Sequence, residues 1–174
     1  MLDFETLTED ISTAAQAALE ETMGLHRGET IVGFALCSDA SAMGVSPAFN
    51  TSANLDEDMR GDPNDASYYR WSPGEWDLES SGVEYFESIN ARIRFAVATV
   101  VPEHFEQFRT QLFSACVAGL DRARGLPRFT DALRTAVVVF TVTDFEDPPR
   151  EKAWISELNR PEDAQQFCRW LDSL

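Results

Sequence analysis

Apolar residues at three- and four-residue steps open the chain, with Phe4, Leu7, Ile11, Ala14, Ala15, Ala18, Leu19 and Met23 on one stripe, which predicts an amphipathic helix. Asp3 is placed to cap it and Gly24 to end it. Thr30 to Ser38 is an almost continuous apolar run of strand length, and a turn-like stretch from Asp39 to Gly44 leads to a second extended piece, Val45 to Asn50. The two read as a hairpin. Small and acidic residues dominate from Thr51 to Asp65, interrupted by Asn54, Gly61, Pro63 and Asn64, which predicts a loop with at most a short helix. Tyr68 to Trp71 has the aromatic content of a third strand. A long helix over Val83 to Val101 turns Phe86, Ile89, Ile93, Val97 and Val100 inward before Pro102 breaks it, and Phe105, Phe108, Leu112, Phe113, Cys116 and Leu120 line the next. Ala136 to Val142 is the strongest strand signal. Lacking alternation, it should be central and covered on both faces or lie beneath helices. Asp144 to Pro149 reads as a loop, and Pro161 to Leu171 as a closing helix with Ala164, Phe167, Cys168 and Leu171 inward. Together these elements predict an α+β fold, residues 1–174 forming a single domain with a small antiparallel or mixed sheet covered by helices.

A chain of 174 residues can bury roughly 70% of its unfolded surface and needs neither disulfide nor metal to hold a core. Its three cysteines, Cys37, Cys116 and Cys168, lie far apart among apolar neighbours and read as reduced core residues. Acids occupy the first residues, where a secretory leader would carry bases, and no apolar run approaches the roughly 20 residues of a membrane span. The expectation is a soluble, cytoplasmic protein.

Charge changes the picture more than length does. The formal net charge is -16, and its distribution is uneven. Residues 1–23 hold acids and no base, Leu55 to Asn90 hold ten acids against Arg60 and Arg70, and residues 91–143 reverse the sign with seven arginines. The Leu55 to Asn90 region is thus a poor surface for nucleic acid or anionic lipid; its acids either serve solubility alone or attract a basic protein. The arginines from Arg92 to Arg134, scattered over helices, are expected to pair with the abundant acids instead of building an anion site.

The most site-like segment lies within that acidic stretch. Tyr68-Tyr69-Arg70-Trp71-Ser72-Pro73-Gly74-Glu75-Trp76-Asp77-Leu78-Glu79 combines aromatic side chains, an arginine and three carboxylates. Ser72, Pro73 and Glu75 fit a helix start in which Ser72 caps and Glu75 completes a capping box. Trp71, Trp76 and the later Tyr85 are expected to cover core, with Arg70 stacked or ion-paired; Trp, Tyr and Arg within a polar rim also make a partner-binding surface, and the two readings coexist if Trp71 points inward and Trp76 outward. The candidate partner-binding residues are Tyr69, Arg70, Trp71, Glu75, Trp76, Asp77 and Glu79. Neither His26 nor His104 has a second ligand at metal spacing, so no metal and no cofactor is expected. Cys37 near Asp39 is better explained as core than as a nucleophile. An enzyme using Glu75 with Asp77 is the least favoured reading, because no positioned partner accompanies the carboxylates.

Arg70-Trp71-Ser72-Pro73-Gly74-Glu75-Trp76 after a helix, a strand and an acidic loop, with Val137 to Asp144 downstream of a long helical pair, resembles the bacterial family catalogued as domain of unknown function 4303. That resemblance implies no assigned activity, although similar small acidic domains serve as immunity proteins in toxin systems. The function expected is therefore a non-catalytic acidic binding protein, an immunity protein that neutralises a basic toxin effector. The alternative is a small-ligand or regulatory domain with a pocket near Trp71 and Arg70.

Overall fold

The first helix, α1 (Phe4–Leu25), follows the apolar stripe: Asp3 accepts hydrogen bonds from the Glu5 and Thr6 N–H groups, and Leu7, Ile11, Ala15 and Ala18 are wholly buried. It packs along α5 (Phe105–Arg124), where Gly119 permits close contact. A Cβ on Gly119 would lie 2.7 Å from Ile11 Cγ2. The computed structural model describes residues 2–174.

Four strands form a mixed sheet. The hairpin of β1 (Ile31–Asp39) and β2 (Val45–Thr51) is antiparallel, with Phe34 opposite Phe49 and Leu36 opposite Pro47. Asp39 organises its turn by accepting from the Ser41 and Met43 N–H groups. The two-residue β3 (Leu78–Glu79) pairs antiparallel with β2, and β4 (Val137–Thr143) lies parallel to β1, giving the order β3-β2-β1-β4. Two expectations are corrected here. The third strand is Leu78–Glu79, whereas Tyr68 to Trp71 belongs to a helix; and β4 lies at an edge, with β1 and β2 inside.

Why an edge strand should be so apolar follows from what covers it. Val138, Phe140, Phe34, Leu36 and Phe49 join the main core with α1, α4 (Glu87–Thr99) and α5, while Val137, Val139, Ala35 and Ala48 on the opposite face meet Trp71, Trp76, Ile155 and Phe167. Two further helices, α7 (Pro148–Leu158) and α8 (Pro161–Leu171), supply much of that cover. The side-chain amide of Asn159, between them, accepts from the Val138 N–H at 2.8 Å and donates to the Val138 carbonyl at 2.7 Å. It stands where a neighbouring strand would. Asn90 does the same at the start of β2, accepting from and donating to Val45 at 2.8 Å each. Buried backbone groups need such partners.

The acidic segment is more helical than the sequence suggests. Thr51 caps α2 (Ser52–Gly61), which has no buried residue, and a 3₁₀ turn at Pro63–Asp65 leads into α3 (Ala66–Trp71). A six-residue α6 (Pro127–Ala132) precedes β4. All three cysteines are free; Cys116 is buried, while Cys37 and Cys168 are partly so. No helix among the described residues is long and apolar enough to cross a membrane.

Candidate functional site

The aromatic segment is built around α3. Asp62 accepts from the Asn64 N–H and starts the turn that feeds this helix, with Pro63 in the first position, so Tyr68 to Trp71 coils instead of extending. Coiling sends successive side chains in different directions. Trp71 packs edge-on against Phe167 of α8 at 5.2 Å and is 3% exposed. Arg70 bonds Asp163 of α8 at 2.7 Å, and Asp163, itself buried, also accepts from Arg160. Tyr69 remains partly exposed toward α2.

Trp76 is as buried as Trp71, which fits the core reading of both indoles and not an exposed Trp76. Its ring lies over Gly33 of β1, where a Cβ would come within 2.8 Å of the indole, and its N–H donates to the Tyr69 carbonyl. Only a residue without a side chain leaves this seat. The proposed capping box is also absent: Ser72 makes no side-chain cap bond, and Glu75 instead accepts from the Tyr68 hydroxyl at 2.7 Å. That bond is the largest cause holding the Tyr68 pKa above its ordinary value. Asp77 accepts from Thr51 Oγ1 at 3.0 Å and from the Thr51 N–H, tying the segment to the end of β2.

Of the candidate residues, then, Trp71 and Trp76 belong to the second core and Arg70 to an internal ion pair. Tyr69, Glu75 and Asp77 do converge, but on carboxylates of the Thr51 to Asp65 segment, which are not among the candidate residues. Burial, followed by Glu75, Glu57 and Asp77, raises the Asp58 pKa, while burial, followed by Asp62, Asp58, Asp65 and Glu75, raises that of Tyr69. Asn54 knits this ridge together by donating to Asn50, Asp58 and the Glu75 carbonyl. The signal available in the sequence was charge density, and the missing piece was the pairing of acids elsewhere. Arg92, Arg122 and Arg128 reach Asp10, Glu9 and Glu20 of α1, while Arg109 and Arg134 pair with Glu106 and Asp131. Among the described residues, none of the eight carboxylates from Asp56 to Glu79 has a cationic side chain within ion-pair distance.

Glu79 faces elsewhere. It lines a cleft of about 580 Å³ on the second face of the sheet, together with Trp71 but not Arg70. Cys37 lies in the cleft floor, its thiol pushed up to about 12 by burial and then by Glu79, so it stays protonated and is a poor nucleophile. No group of three or more His, Cys, Asp or Glu side chains among the described residues is arranged to hold a metal.

The family model described as Domain of unknown function (DUF4303) matches residues 11–160, a span from α1 to the end of α7 that includes the whole sheet and the acidic ridge. The chain belongs to the DUF4303 family. Neither the curated proteins nor the solved structures yielded a match to it. In this DUF4303 chain the Arg70-to-Trp76 motif is therefore chiefly architectural: it seats two indoles against the sheet, latches α3 to α8 and brings Glu75 to the ridge.

Proposed function

We propose that this DUF4303 protein is a non-catalytic acidic binding protein whose partner is a basic protein, and that immunity against a basic toxin effector is the setting in which it acts. The observation that supports this reading is the uncompensated ridge of α2 and α3. Arginines pair with Glu9, Asp10 and Glu20 of α1, while the carboxylates of Asp56 to Asp77 have no cationic partner among the described residues; burial, and then the neighbouring Glu75, Glu57 and Asp77, raise the Asp58 pKa. Crowded like charges repel, and cationic side chains of a partner relieve that repulsion. Tyr68 and Met59 are exposed in the same segment and supply apolar contact. Trp76 has no part in the interface.

The test is association kinetics with the product of the adjacent gene at low and physiological salt. Asp56→Asn, Glu57→Gln and Asp65→Asn combined remove charge from exposed side chains that make no hydrogen bond through their carboxylates. They should slow association by about tenfold at low salt, with a smaller effect once the screening length falls to about 8 Å. Association indifferent to both salt and these substitutions would sink the proposal.

A further inference from the structure

The cleft over the second face of the sheet takes no part in the ridge, and its lining points to one class of ligand. Small residues of the sheet, among them Ala48, leave the space, and the neutral thiol of Cys37 lies in the floor. One wall is aromatic: Trp71 meets Phe167 at 5.2 Å, and Phe167 meets Trp170 at 5.7 Å. Glu79 and Glu151 contribute carboxylates, and no lysine, arginine or histidine lines the cleft. The guanidinium of Arg70, 5.7 Å from the Trp71 ring centroid, is tied to Asp163 outside it.

Each feature narrows the ligand. An anion meets two carboxylates without a counter-charge, and a wholly apolar molecule would strip water from them without repayment. Burial already raises the Glu151 pKa, so this carboxylate gains from a nearby positive charge. Aromatic faces attract the same charge. We propose that the cleft binds a small organic cation whose ammonium or guanidinium head rests against the aromatic wall between Glu79 and Glu151. The volume suits a small molecule.

Choline is the probe, compared with its uncharged isostere in which a quaternary carbon replaces the nitrogen; both carry the hydroxyl. Titrated into the full chain and followed by calorimetry and tryptophan fluorescence, choline should bind saturably and the isostere about tenfold more weakly or less. Glu151→Gln should weaken choline severalfold and leave the isostere unchanged. Trp170→Phe should weaken choline more than the isostere, and both variants should melt like the wild type. The combined ridge substitutions above should leave choline binding intact, which separates this site from the partner surface. Equal affinity for choline and the isostere, no saturation at millimolar choline, or loss of binding in the ridge variant would each overturn the assignment.

Discussion

Removing the Asn159 side chain should reveal how much the sheet depends on its substitute strand. Asn159 is 9% exposed and makes three hydrogen bonds through its amide: two to Val138 and one, at 3.0 Å, to the Ile155 carbonyl. Asn159→Ala leaves the Val138 N–H and C=O without partners at a buried edge, and an orphaned buried group costs about 1–3 kcal/mol. Partial access of water to the space reduces the sum, so the expected loss is about 2–4 kcal/mol, or about 5–15 °C in Tm for a chain of this length. Asn159→Asp is the sharper variant. Its new carboxyl can accept from the Val138 N–H in either protonation state, but only the protonated form can donate to the Val138 carbonyl. The folded state therefore holds that proton more tightly, and the folded pKa lies above the unfolded value of about 3.9. The stabilising contribution is full below the unfolded pKa and is lost as pH rises through the folded one, at up to about 1.4 kcal/mol per pH unit. Thermal melts from pH 4 to pH 8 and hydrogen exchange at the Val138 amide measure both effects. An Asn159→Ala variant within about 0.5 kcal/mol of the wild type, or an Asn159→Asp variant whose difference from wild type ignores pH, would refute the edge-capping role.

The ridge should be costly to the protein that carries it. Because the Asp58 pKa is raised by burial and neighbouring carboxylates, its contribution to stability is present below the unfolded value and lost as pH rises through the folded one. Asp58→Asn should flatten the acid side of the Tm–pH profile and raise Tm at neutral pH; an unchanged profile would remove the argument for repulsion. Gly33→Ala should cost about 1–3 kcal/mol by overpacking, since its Cβ would press within 2.8 Å of the Trp76 ring. Amide-detected exchange should show the Trp76 indole N–H losing protection as its bond to the Tyr69 carbonyl breaks. A wild-type melt with a protected indole would contradict that packing.

Periodicity carried the reading furthest where one stripe faces one core. The stripe of α1, the hairpin and the closing helix at Pro161–Leu171 stand where the apolar spacing puts them. Elsewhere local composition gave the wrong cue. Tyr68 to Trp71 has strand-like side chains, yet the Asp62-Pro63 turn commits it to a helix. The apolar run of β4 resembles that of an interior strand because α7 and Asn159 cover its edge, and α7 begins inside the Asp144 to Pro149 segment expected to be a loop and continues through residues for which no element is expected. Trp76 could be placed only by knowing that Gly33 lies beneath it. The ridge emerges by subtraction: α1 is also acidic, but distant arginines reach Glu9, Asp10 and Glu20, three of its five acids, whereas none reaches α2. Long-range pairing of that kind leaves no local pattern to read.

The asparagine amides at Val45 and Val138 also bear on how this chain meets other chains. Where each amide occupies a ladder position, an incoming polypeptide finds neither donor nor acceptor free, so strand addition and the fibril growth that follows from it are blocked at those two positions. At Val45 and Val138, contact with another chain is thereby left to side chains.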